Sequence, residues 1–220
     1  MCGRFTLTLD SEGLQNAFPG FAAPPMAAPR YNVSPTQPVL AIPNNSQKME
    51  FMIWGLIPGW AKDPSMGAKM INARAETLAE KASFKAPYKR RRCLIPADGF
   101  YEWRVTSGSK AKTPMYIRLK DGQPFTFAGL WEVWHPGDES ILSCTIITTE
   151  PNAFMAGIHN RMPVILPPSA WEEWLDPDEQ PLGSLNHLLT AYPADQMEAY
   201  PVSTLVNSPA NDRAELIQPH

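Results

Sequence analysis

The amino-acid sequence predicts a largely β, α+β fold in a single domain spanning residues 1–220. Three observations carry this. The 24 prolines among 220 residues are about twice the usual ~5% share, which disfavours a helical bundle and favours short strands joined by turning loops. Apolar residues make up 44% and charged residues 19%, enough to bury one sizeable core and unlike a disordered tail. No internal repeat, low-complexity tract or long linker divides the chain.

The elements follow in chain order. Leu14 and Phe18, four apart after a cap at Asp10 or Ser11, predict a short first helix. Ala22–Pro29 reads as an extended proline-rich loop that Tyr31–Pro35 continues. The basic run Lys89-Arg90-Arg91-Arg92 enters an apolar strand, Cys93-Leu94-Ile95-Pro96, and at least two of its cations read as a solvated edge. Met115–Leu119 and Phe125–Leu130 flank Asp121-Gly122, which predicts a hairpin. Leu142–Thr149 is rich in β-branched residues, and Pro163–Leu166 is a second, shorter strand. Ser169 followed by Glu172 has the capping-box spacing and predicts a helix over Trp171–Leu175.

Net charge is only −3, but it is unevenly spread. Residues 1–120 hold 17 Lys/Arg against 8 Asp/Glu, a net +9, and residues 121–220 hold 2 against 14, a net −12. Such asymmetry fits a basic face that attracts phosphates, and equally fits two solvated faces with no partner. No stretch approaches the roughly 18 apolar residues of a membrane span. The first residues carry no signal-peptide pattern, so a cytoplasmic location is expected. Cys2, Cys93 and Cys144 are too few and too scattered for a disulfide framework. The cysteines and the four histidines lack zinc spacing, and neither a P-loop nor a dinucleotide fingerprint is present. The expectation is therefore no metal and no cofactor.

Cys2 is the most informative residue. Its side chain is small enough that the initiator methionine is normally trimmed, leaving a 1,2-aminothiol at the chain start. With an α-amino pKa of about 7.7–8.0, roughly a third of the amine is neutral near pH 7.5. A thiol of pKa about 8.5 is roughly a tenth ionised there, and a nearby cation would raise that fraction. Such a pair condenses with an aldehyde to an imine, and the sulfur then closes a thiazolidine ring. Met-Cys-Gly also opens N-terminal-nucleophile amidohydrolases, in which the amine serves as base for its own thiol. Arg4, where those sequences usually continue as an apolar strand, weakens that match.

Other candidate groups lie in punctuated segments. Asn72 and Arg74 fall on one side of Ile71–Glu76 if it is extended. Glu102 stands among aromatics in Gly99-Phe100-Tyr101-Glu102-Trp103, a setting that raises a carboxyl pKa and suits acid–base work. His159 sits beside Arg161 in His159-Asn160-Arg161-Met162-Pro163, just before a strand. Trp60 and Trp103 adjoin turns or polar residues and could stack on bases.

Together these segments resemble one family. Met1–Phe5, Arg30–Thr36, Trp54–Trp60, Ile71–Glu76, Arg92–Trp103, His159–Pro163 and the tail from Val202 to Pro219, with Val206-Asn207 and Asn211-Asp212, are similar to the SRAP family of abasic-site processing proteins over essentially the whole chain. The resemblance implies a single α+β domain on a complex, mixed or antiparallel, β-barrel-like sheet with a few flanking helices. It implies a covalent DNA–protein crosslink to abasic sites in single-stranded DNA. Peptidase-like self-processing of the N-terminus can coexist with it, and a monomer with no cofactor and no membrane partner is expected. It also implies roles: Cys2 as nucleophile, Glu102 as general acid–base, Asn72 holding amine and sugar, and His159 assisting proton transfer. Arg4, Arg74 and Arg161 would hold phosphates, Trp60 and Trp103 would pack on flanking bases, and Asn32 and Thr148 would form the pocket wall. The other readings are an amidohydrolase or peptidase without a DNA role, and a non-catalytic single-strand-binding module.

Overall fold

A computed structural model describes residues 2–105, 108, 111–135, 137 and 139–220. The regular elements are β1 (Phe5–Leu7), α1 (Ser11–Ala17), β2 (Arg30–Val33), β3 (Pro38–Pro43), β4 (Glu50–Trp54), β5 (Asn72–Arg74), α2 (Ala82–Arg90), β6 (Arg92–Ala97), β7 (Gly99–Val105), β8 (Lys112–Leu119), β9 (Phe125–Trp134), β10 (Ile141–Thr149), β11 (Met162–Pro163), β12 (Ile165–Leu166), α3 (Trp171–Trp174) and β13 (Met197–Pro201), with short 3-10 turns between several of them.

The strands form two sheets. One is antiparallel, in the order β13-β8-β7-β1-β2. In the other, β10, β4, β3, β6 and β9 pair in succession, and β9 pairs back onto β10, closing a five-stranded barrel. Among the named strands of the described residues, only the β4–β10 and β5–β10 pairings are parallel. The fold is thus the mixed α+β, barrel-based architecture expected.

Period-two alternation divides the core. Val39 and Ala41 of β3, Cys93 and Ile95 of β6, Phe127 of β9 and Ile146 of β10 join a cluster with Phe5, Phe100 and Ile117 of the antiparallel sheet. Their strand neighbours Leu40, Ile42, Leu94, Ala128 and Ile147 face Leu14, Phe18, Tyr88 and Trp174, in or beside the three helices. The α1 start is as predicted: Asp10 Oδ1 accepts from the Gly13 amide at 2.9 Å.

Four expectations are corrected. The strands around Asp121-Gly122 exist, but they do not pair. β8 pairs with β7 and β13, whereas β9 joins the barrel, so the turn passes the chain from one sheet to the other. Gly122 still serves it, at φ +68°. Ser169 makes no capping bond, because Pro167 and Pro168 start a 3-10 turn that leaves α3 a single turn long. Pro163–Leu166 divides into β11 on β10 and β12 on β9. In the basic run only Arg90 remains mostly exposed. Lys89 and Arg90 pair with Glu179, Arg91 pairs with Glu132 at 2.7 Å, and Arg92 is fully buried. The helix α2 carries no clear sequence signal, since Pro87 lies inside it.

The charge asymmetry is partly consumed by folding. Arg30–Asp212, Arg90–Glu179, Arg91–Glu132 and Arg118–Glu198 each join the basic half to the acidic half. Less of the basic surplus is free for phosphates than the count suggests.

Candidate active site

The chain start is pinned by a strand only three residues long. Phe5 pairs with Val33 on one side and Phe100 on the other. Asp98 fastens the strand further, accepting from Thr6 Oγ1 at 2.5 Å and from the Thr8 amide and hydroxyl at 2.5 and 2.6 Å. Thr6 Oγ1 also lies 2.9 Å from the Tyr116 hydroxyl, which packs so closely on Gly99 that a Cβ there would collide with it. This pinning delivers Cys2, fully buried, to the edge of the shared core.

Three elements converge on Cys2. From β5, Asn72 Nδ2 donates to the Cys2 carbonyl at 2.9 Å, and Asn72 Oδ1 is buried without a hydrogen-bond partner among the described residues. β5 is extended and pairs in parallel with β10, so Asn72 and Arg74 share a face, with Ala73 in the core on the other. From β7 comes the buried Glu102 carboxylate, whose negative charge is felt at the Cys2 thiol. Behind it, His159 Nε2 is 3.8 Å from Glu102 Oε2.

The electrostatics run against one expectation. The Cys2 thiol is pushed far above its ordinary value, first by burial and then by the Glu102 carboxylate, with the Arg4 amide opposing. It is neutral here, because burial and the carboxylate outweigh the N-terminal ammonium, whose positive charge pulls the other way. Burial likewise raises the Glu102 carboxyl, opposed in part by positive charge that includes His159. The Arg161 amide donates to His159 Nδ1 at 3.1 Å. In neutral His159 the proton therefore rests on Nε2, facing Glu102.

The raised Glu102 pKa has a consequence for stability. An unfolded glutamate titrates near about 4.3, and the folded state holds the proton more tightly. The group therefore weakens the fold progressively as pH rises from about 4 through its folded value. Glu102→Gln is expected to melt higher than the parent at about pH 7.5, with the advantage gone near pH 4. A melting advantage independent of pH, or none at neutral pH, would contradict this account.

The remaining candidates occupy different places. Arg4 donates to Asn32 Oδ1 at 2.7 Å and to the Val206 carbonyl at 2.8 Å, with its guanidinium 5.9 Å from the Trp103 ring centre. Asn32 is buried, and its Nδ2 holds the C-terminal segment through the carbonyls of Val206, Ser208 and Asn211. Trp103 alternates with Glu102 onto the other face of β7 and donates to Asn207 Oδ1 at 2.7 Å. Thr148 is fully buried opposite Arg74, and its carbonyl accepts from Arg161 at 2.7 Å. Arg74 is exposed and lines a shallow cleft of about 680 Å³ with Glu150, Pro151, His159, Asn160 and Arg161.

Trp60 is 59% exposed but stands apart. Its neighbour Ala61 accepts from Trp134 Nε1 at 2.7 Å, at the Ile141 end of β10. Thr148 lies seven residues along, roughly 23 Å of strand. A larger cavity, about 1120 Å³, is bounded by Phe21, Trp171, Glu172 and Asp176 and includes none of these residues.

Two features escaped the sequence reading of the site. Glu76 holds Arg161 with both oxygens, at 2.7 and 2.9 Å. Asp212 fixes β2 through the amides of Tyr31 and Asn32, at 2.5 and 3.1 Å. Glu76 could have been suspected only from its place two residues after Arg74. Met1, whose removal the sequence reading requires, lies outside the described residues.

A buried cysteine whose carbonyl is held by an amide, with a carboxylate–imidazole pair nearby, sits on a mixed β scaffold. Residues 1–209 match the family described as SOS response associated peptidase (SRAP), and the chain belongs to that family. It is 49% identical over 225 residues to the abasic site processing protein YoqW of Bacillus subtilis, with both chains covered in full. It is 34% identical to the abasic site processing protein HMCES of Gallus gallus, covering 100% of this chain and 78% of that one. Among solved structures, a crystal structure of a Bacteroides thetaiotaomicron protein superposes with a TM-score of 0.88 at 28% identity, both chains covered in full. Among the described residues, no helix is long and apolar enough to cross a membrane.

Proposed function

We propose that this protein processes abasic sites in single-stranded DNA by capturing the sugar aldehyde covalently at Cys2, once Met1 has been removed. The observation that carries this is the grouping of Cys2, Asn72, Glu102 and His159 at a pinned chain start. The relatives named as abasic site processing proteins supply the substrate class. The open deoxyribose presents an aldehyde at C1′. The Cys2 amine adds to it and water departs, leaving an imine. The thiol then adds across that imine: a C–S bond forms, and the thiol proton ends on the nitrogen. Aldehyde and aminothiol thus become thiazolidine and one water, with no oxidant or cofactor.

The chain's own groups suit these steps. Glu102, its pKa raised, can give a proton to the departing oxygen and take one from the neutral thiol. His159 Nε2 stands behind it as a relay. Asn72 fixes the Cys2 carbonyl and leaves Oδ1 for the new amine or the sugar. A neutral thiol favours this order, amine first and sulfur second, over the thiolate attack that an amidohydrolase needs. Arg74 and Arg161 line the cleft that would take the phosphates. Arg4, through Asn32, would brace Trp103 for base stacking, with Thr148 in the wall and Trp60 meeting the strand farther along. On this proposal residues 1–220 act as one unit, as a monomer in the cytoplasm.

The test is a denaturing gel of Met1-processed protein mixed with a single-stranded oligonucleotide carrying one abasic site. A boil-stable slow band that needs the abasic site is expected. Acetylating the N-terminal amine should reduce it below detection, because no imine can form. A band of equal strength from the blocked protein would overturn the mechanism.

A further inference from the structure

Arg161 already has an anion. Its two terminal nitrogens meet the two oxygens of Glu76 at 2.7 and 2.9 Å, in the parallel fork that guanidinium also makes with phosphate. Nη2 is shared with the Thr148 carbonyl at 2.7 Å, and Nε is buried without a hydrogen-bond partner among the described residues. The arginine is mostly covered, its side chain 13% exposed, whereas the Glu76 side chain is 44% exposed. The covered partner is therefore fixed to β10, and the exposed one is free to leave. Arg161 and Arg74, the two cations acting on Glu76, both line the cleft beside His159.

We propose that Glu76 is an internal phosphate mimic: it occupies Arg161 in the DNA-free protein and must swing outward before a backbone phosphate can take its place. This rests on the single-strand reading above and adds a specificity device to the same cleft. Each phosphate that binds Arg161 must displace a bidentate carboxylate. Weak single contacts with a passing strand are therefore discouraged, whereas a strand held at several points can complete the exchange. Glu76 is a positioning and competing residue, not one that touches the reacting atoms.

The experiment measures binding of an undamaged single-stranded oligonucleotide to the full chain at several salt concentrations. Wild type, Glu76→Gln, Glu76→Ala, Arg161→Ala and both double variants are compared. Undamaged DNA reads the electrostatic grip without the covalent step. Both Glu76 variants should bind roughly 3- to 5-fold more tightly at low salt. The slope of log affinity against log salt should steepen by about 0.7, the value for one added phosphate contact on a single strand. In the Arg161→Ala background the same substitutions should bring less than about a 2-fold gain.

Weaker binding by both Glu76 variants would mean that Glu76 supports Arg161 rather than competing for it, and would overturn the proposal. An equal gain with and without Arg161 would reduce Glu76 to one negative charge among others, and would also overturn it. Absence of binding by wild type and every variant would remove the single-strand reading itself, an outcome distinct from either of these.

Discussion

Cys2→Ala is expected to lose the boil-stable DNA adduct by roughly 10³-fold or more, the scale of removing a covalent nucleophile. The variant keeps a free N-terminal amine, so an imine with the abasic aldehyde still forms, and borohydride should trap it. Without sulfur that imine cannot close to a ring. Its acidified C2′ proton becomes available for β-elimination, and strand cleavage should appear in place of the crosslink. The fold should tolerate the change, because Cys2 contributes one small side chain at the edge of the core cluster. Denaturing gels with and without borohydride check both parts. A boil-stable adduct from Cys2→Ala without reductant would remove the thiazolidine from the mechanism.

Arg92→Met is expected to destabilise the protein by about 3–5 kcal/mol, the scale of breaking a buried charged network. Arg92 is fully buried at the start of β6. Its guanidinium donates to the carbonyls of Tyr88, Lys89, Trp174, Asp176 and Asp178. One side chain thereby closes the end of α2, the end of α3 and the loop after it. Asn44 completes the knot, accepting from the Arg92 amide and from Trp131 Nε1 and donating to the carbonyls of Arg90 and Asp176. Methionine fills the volume but donates nothing, leaving buried carbonyls unpaired at about 1–3 kcal/mol each. Denaturant unfolding measures the loss. Lysine should rescue only part of it, because one ammonium cannot span the fork. A loss under about 1 kcal/mol would refute the network's importance.

The contrast between Arg92 and Arg90 shows where sequence reading stops. Both belong to one run of four cations, and nothing local separates them. Arg92 is buried because the carbonyl ends of two helices, some 85 residues apart in the chain, meet at its guanidinium. The hairpin expected at Asp121-Gly122 fails for the same kind of reason. The turn chemistry is local and correct, but the partners of β8 and β9 are chosen by burial across the whole fold. The thiol shows it in chemical form. Sequence alone gives Cys2 an ordinary thiol, whereas the fold surrounds it with apolar side chains and brings up the Glu102 carboxylate, which together drive its pKa upward.

What the sequence determined by itself is therefore whatever depends on near neighbours. It determined the aminothiol chemistry latent in Cys2, the strand character of β6, β8, β9 and β10, a helix start at Asp10 or Ser11, the common face of Asn72 and Arg74, and the raised carboxyl among the aromatics of β7. The order of motifs along the chain added the family. Only the tertiary structure decided which of these meet. It brought β5, β7 and the turn before β11 to the chain start, moved Trp60 to the far end of β10, and gave Arg161 to Glu76, 85 residues away. Periodicity and turn preference act over a few residues, but pairing and burial act between segments that only the closed barrel makes adjacent.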